Sequence, residues 1–129
     1  MPSLLLIEDD ALIREALATA LIDRGYTVLQ AEDGVQGVKR FRATPTDLVL
    51  TDIVMPNMEG IALITELRRD FPQLGIIAMS GGVAHEPDLY LKIAGKFGAN
   101  RTLRKPFDLP TLLAAVAEVL ATTGRNRTA

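Results

Sequence analysis

Three short apolar runs constrain this chain most: Leu4–Ile7, Leu48–Leu50 and Gly75–Met79. Each is too short for a helix, lacks polar alternation and ends in polar residues. Such runs read as strands buried on both faces, as in a parallel sheet covered by helices. Between them, apolar residues recur at helical spacing. Leu12, Ile13, Ala16, Leu17, Ala20 and Leu21 mark a first helix, stopped at Arg24-Gly25. A second begins in Ala31-Glu32-Asp33-Gly34, carries Val35, Val38 and Phe41, and ends before Pro45. A third starts near Asn57, carries Ile61, Ile64, Leu67 and Phe71, and is stopped by Pro72. Two weaker strands complete the alternation: Tyr26–Gln30, and Arg101–Arg104, polar enough for an edge. Helices over Pro87–Gly98 and from Leu109 to Leu120 follow the fourth and fifth strands, with Asp108 or Thr111 near the start of the last.

Five strand–helix units in strict alternation predict an α/β fold, a five-stranded parallel sheet with helices on both faces. Right-handed crossovers make it doubly wound. The flavodoxin-like order 2-1-3-4-5 is taken for such a (βα)5 sheet. At 129 residues the chain is expected to form one domain over 1–122, with 123–129 as a flexible tail. A net charge of −2 argues against electrostatic capture of nucleic acid or an anionic membrane. Without cysteine there are no disulfides or thiolate sites, and the single His85 forms no zinc cluster. The four-residue apolar run at the N-terminus lacks a basic leader, so neither export nor membrane insertion is expected and the cytoplasm is the default compartment.

In that strand order the first and third strands are neighbours, and ligands bind at the carboxyl ends where the winding reverses. Glu8, Asp9 and Asp52 stand at those two ends. Taken singly, Asp52 is equally a turn or cap residue, and Asp10 could cap the first helix with Glu8 and Asp9 as surface charges. Together they are costly. Two carboxylates about 4 Å apart repel by roughly 4 kcal/mol at an effective dielectric near 20. A cation among them relieves this, and an oxygen-only set suits Mg²⁺, with Mn²⁺ as the alternative. Ser80, after the fourth strand, adds a hydroxyl, and Lys105, after the fifth, adds an ammonium. A carboxylate nucleophile, a divalent cation, a hydroxyl and a lysine describe phosphoryl transfer onto Asp52.

Glu8-Asp9, Asp52 in Thr-Asp-Ile-Val-Met-Pro, Ser80 after Ala-Met, and Lys105-Pro106-Phe107 occur in an order that resembles the receiver domain of two-component response regulators. The resemblance covers about Ser3 to Ala121. It implies that Asp52 is the phosphoacceptor and that Glu8, Asp9, Asp52 and the Val54 carbonyl hold Mg²⁺, Glu8 through water. It further implies that Ser80 and Lys105 bind the phosphoryl group, and that the Lys105-Pro106 bond is cis. The partners implied are a histidine kinase or histidine phosphotransfer protein and a downstream protein meeting helix 4, strand 5 and helix 5, near Tyr90, Arg101 and Leu109. A monomer or weak dimer is expected, with no direct nucleic-acid contact, no membrane contact, and no catalysis beyond its own phosphorylation and dephosphorylation.

The sequence departs from the family in three places. Thr102 replaces the aromatic or His that the family uses to couple Ser/Thr movement to its surface. Ser80 and Lys105 stand 25 positions apart, a few more than is usual, which reads as a tolerated loop insertion. Val54 and Gly82 occupy positions that modulate dephosphorylation and have no side chain to orient a water, which predicts a long-lived phospho-form. His85 and the arginines at 101, 104, 125 and 127 read as solvated surface. Two rival functions remain: an unphosphorylated docking module, which Thr102 favours, and a small phosphohydrolase. The second is opposed by the lack of an Asp two residues after Asp52.

Overall fold

The computed structural model describes residues 2–53, 59–80 and 87–123, at 59 and 87–91 for the backbone alone. Five strands, β1 (Ser3–Ile7), β2 (Thr27–Ala31), β3 (Leu48–Asp52), β4 (Gly75–Ser80) and β5 (Arg101–Arg104), alternate with five helices. These are α1 (Ala11–Asp23), α2 (Gly34–Ala43), α3 (Glu59–Asp70), α4 (Pro87–Phe97) and α5 (Leu109–Thr122). Every strand pair is parallel and the order is β2-β1-β3-β4-β5, the doubly wound arrangement expected.

Alternation along the strands sorts the core into two layers. Leu4, Leu6, Leu48 and Leu50 pack with Leu17 and Leu21 of α1 and with Leu112, Val116 and Leu120 of α5. Leu5, Ile7 and Val49 face the other way, onto Phe41 of α2, Ile64 and Leu67 of α3 and Ala94 of α4. Because β1, β3 and β4 are covered on both faces, their runs contain almost no polar residue.

Several boundaries differ from the sequence reading by a residue or two. β2 begins one residue later and takes in Ala31, which pairs with Ile7 and is buried. Tyr26 instead donates its N–H to Leu21 O and packs beneath α1. The second helix therefore starts at Gly34, with Asp33 as N-cap accepting from Gln36 N at 2.8 Å. The last helix runs on through Ala121 and Thr122. The 124–129 tail lies outside the described residues.

At the opposite end of the sheet from the acidic strand ends, Arg68 of α3 ties two turns together. Its guanidinium donates twice to Gly98 O (3.1 and 2.8 Å), to Asn100 Oδ1 (2.8 Å) and to Pro72 O (2.9 Å). Asn100 Oδ1 also accepts from Ile76 N at the start of β4. Gly98 has φ +126°, and a Cβ there would meet Arg68 Cγ at 2.8 Å, so glycine is required on both counts.

Candidate functional site

The carboxyl ends of β1, β3, β4 and β5 meet at one rim. After β1 the chain stays in register for one more residue: Glu8 N donates to Ala31 O at 3.1 Å, and Glu8 is buried to 1% exposure. Its carbonyl accepts from Arg14 Nη1 (2.7 Å) and its Oε2 from Asp10 N (3.2 Å). Asp9 turns out to solvent. Asp10 does cap α1, accepting from Leu12 N and Ile13 N, but Glu8 is no surface charge.

Asp52 is the last residue of β3 and is 6% exposed. The backbone beyond it is held by Ile53 N donating to Met79 O (2.9 Å) and by Thr51 Oγ1 donating to Asp52 O (3.0 Å). Ser80 ends the neighbouring strand, and its Oγ is the one buried side-chain polar atom without a hydrogen-bond partner among the described residues. Ser80 O accepts from Lys105 N (2.7 Å), which fixes the start of the β5–α5 turn; the Lys105-Pro106 bond is cis. Lys105 Nζ then reaches across the rim, donating to Glu8 Oε1 (2.8 Å) and to Asp52 Oδ2 (3.0 Å).

Glu8, Asp9 and Asp52 each offer a carboxylate oxygen, all within 4.8 Å of one another. Three hard oxygen donors at that spacing fit a divalent cation of the Mg²⁺ type. Burial pushes the Glu8 carboxyl above its ordinary range; the Lys105 hydrogen bond opposes that rise and the charge of Asp52 adds to it. For Lys105, burial works against the ammonium, yet the hydrogen bond to Glu8 and the charge of Asp52 outweigh it, and its pKa is raised. A carboxylate, an ammonium and an unpartnered hydroxyl at one rim can receive and neutralise a phosphoryl group.

The structure thus brings Glu8, Asp9, Asp52 and Lys105 together and places Ser80 at the end of the strand beside Asp52. Val54, Gly82 and His85 lie outside the described residues, and Tyr90, in α4, is described for its backbone alone. Thr102 sits on β5 opposite Ala78. Thr51 and Gly60 were not singled out from sequence. A Cβ on Gly60 would come within 2.8 Å of Asp52 O, and a glycine interrupting a helical pattern was the available signal. Among the described residues no helix is long and apolar enough to cross a membrane.

Residues 4–117 match the family described as the response regulator receiver domain. The sensor kinase CckA of Brucella abortus is 37% identical over 120 residues, covering 92% of this chain and 12% of that protein. The transcriptional regulatory protein CseB of Streptomyces coelicolor is 34% identical over 116 residues, covering 90% of this chain and 48% of that protein. The chain therefore spans about half or less of the length of these relatives. A response regulator receiver domain protein from Clostridium thermocellum superimposes with a TM-score of 0.85 at 27% identity, covering 95% of this chain and 96% of that one.

Proposed function

The chain belongs to the response regulator receiver domain family of two-component signalling, and from that premise we propose that it is a phospho-aspartate switch acting through Asp52. What carries the reading is the convergence of Glu8, Asp9 and Asp52 within 4.8 Å, with Lys105 Nζ 3.0 Å from Asp52 Oδ2.

A histidine kinase or histidine phosphotransfer protein presents a phosphohistidine to the rim. An Asp52 carboxylate oxygen attacks phosphorus; the new O–P bond forms as the P–N bond breaks, and the imidazole leaves with that electron pair. Lys105 gives up its contact with Asp52 for a phosphoryl oxygen, and the Ser80 hydroxyl, which has no hydrogen-bond partner among the described residues, donates to another. Glu8, Asp9 and Asp52, joined by the Val54 carbonyl that the family resemblance adds, would hold a divalent cation, which when bound would help neutralise the transferred charge. The product carries about −1.5 to −2 charges at one point. Shifting a two-state domain from 1:99 to 99:1 needs about 5.5 kcal/mol, and charge-assisted contacts to Ser80 and Lys105 contribute to that.

The signal leaves through α4, β5 and α5, where Leu109 is exposed and Arg101 pairs with Glu118. This reading takes 1–122 as the receiver, 123–129 as a flexible tail, the cytoplasm as the compartment, and a monomer or weak dimer as the state, with no nucleic-acid contact of its own. The rival docking module draws support from Thr102. Mass spectrometry after acetyl phosphate and Mg²⁺ separates the two. One added phosphoryl, lost in Asp52→Asn, is the result expected of the switch; an unmodified protein supports docking alone.

A further inference from the structure

We propose that Thr51 and Gly60 are positioning residues for Asp52, fixing the peptide through which its carboxylate leaves the sheet. The inference rests on Asp52 being the phosphoacceptor.

Thr51 is fully buried and pairs with Ile7 on one side and Ala78 on the other. A hydroxyl here stands between two apolar neighbours, where valine would pack with the same shape. A buried hydroxyl is costly unless bonded, and this one spends its bond on the carbonyl of Asp52 itself, at 3.0 Å.

Gly60, in the first turn of α3, comes close against the same peptide. A Cβ on it would lie 2.3 Å from Ile53 Cα, 2.8 Å from Asp52 O and 3.0 Å from Ile53 Cβ. Two of these obstacles are backbone and cannot rotate away. At Gly37 the Cβ would meet the Ile7 side chain, with Cδ1 nearest at 2.5 Å, and at Gly95 nothing lies within 4 Å. The third constraint is the Ile53 N bond to Met79 O at 2.9 Å. Hydroxyl, bare Cα and ladder bond together box in the Asp52–Ile53 peptide. In-line transfer is sensitive to such placement, a shift of about 1 Å costing roughly 100-fold in rate.

The test compares Thr51→Val, Thr51→Ser, Gly60→Ala and, as a reference, Gly95→Ala in the full chain. Rates of acetyl phosphate uptake with Mg²⁺ are resolved into kcat and KM. In the metal-free protein, NMR follows the Asp52 carboxylate carbon and the Ile53 amide. Thr51→Val is expected to lower kcat about 10-fold with KM unchanged and to move both resonances, while its unfolding midpoint holds; Gly60→Ala is expected to lose at least as much. Thr51→Ser recovers the rate to within about 3-fold, and Gly95→Ala matches the wild type. Wild-type rates and resonances in folded Thr51→Val and Gly60→Ala would overturn the proposal. If Gly60→Ala does not fold, the valine–serine pair decides: a loss rescued by serine supports it, and no loss overturns it. A wild-type chain that takes up no phosphoryl refutes the reading of Asp52 instead, and the metal-free resonances still decide the positioning roles.

Discussion

Lys105 Nζ donates to Glu8 Oε1 at 2.8 Å, bridging 97 positions of chain to reach a carboxylate that is almost wholly buried. The same ammonium holds Asp52, so it separates two acids that would otherwise face each other. Replacing it by an apolar isostere, Lys105→Met, leaves that repulsion uncompensated. The metal-free variant should lose about 2 kcal/mol of stability at neutral pH, since breaking a buried pair strands its partner. Added Mg²⁺ should restore more stability to the variant than to the wild type. Urea unfolding with and without Mg²⁺ measures both, and an equal Mg²⁺ response would contradict the argument.

Glu8→Gln should act in the opposite direction. The folded-state pKa of Glu8 is raised above 4.5, so the folded protein favours the neutral form more than the unfolded chain does. Metal-free stability therefore declines as pH rises through the Glu8 titration. Glutamine mimics the neutral form, and the variant should gain about 1 kcal/mol at pH 7, a few degrees in Tm, while losing Mg²⁺ affinity. A thermal scan from pH 4 to 8 tests the sign: the two proteins should converge at the acid end, and the advantage of the variant should grow as pH rises.

Asp70 sets part of the acid limit. Hydrogen bonds from Arg69 and Arg42 hold its carboxyl down to about 2. A depressed folded-state pKa gives stability that is complete above 3.8 and disappears as pH falls toward about 2. Asp70→Asn should flatten the fall of the unfolding midpoint between those limits. Because the pair is exposed, the difference should shrink in 1 M salt.

Arg68 donates to carbonyls of two separate turns and to Asn100 Oδ1, and burial pulls its pKa below its ordinary value. Arg68→Ala should cost about 2 kcal/mol in denaturant unfolding. Arg68→Lys should recover less than half, because a single ammonium cannot span the same acceptors.

Decay of the phospho-form is open to a direct comparison. Val54 and Gly82 lack side chains that could orient a water, so the wild type should dephosphorylate more slowly than the double variant Val54→Asn, Gly82→Glu. Loss of labelled phosphate over time measures this, and equal or faster wild-type decay would refute it.

The buried runs announced the sheet because strands covered on both faces leave no room for polar residues. Their order needed a borrowed topology. β2 slipped by one residue because side-chain character does not separate Tyr26 from Ala31; the backbone does, Tyr26 N bonding Leu21 O while Ala31 pairs with Ile7. The acids, Ser80 and Lys105 were legible from their places at strand ends. Thr51 and Gly60 were not, since a threonine in a strand and a glycine in a helix look ordinary until the peptide between them is seen. Arg68 was equally hidden: all but one of its acceptors are backbone carbonyls, which leave no trace in side-chain spacing.

In β1, Leu4 and Leu6 go to one layer and Leu5 and Ile7 to the other, and the next step of that parity seals Glu8 inside while Asp9 meets water. Slipping the strand by a single residue would exchange the two acids and turn every leucine the wrong way. The aim of the acids is thus insured by the hydrophobic interior, and a substitution can blunt one of them far more easily than it can misdirect the pair.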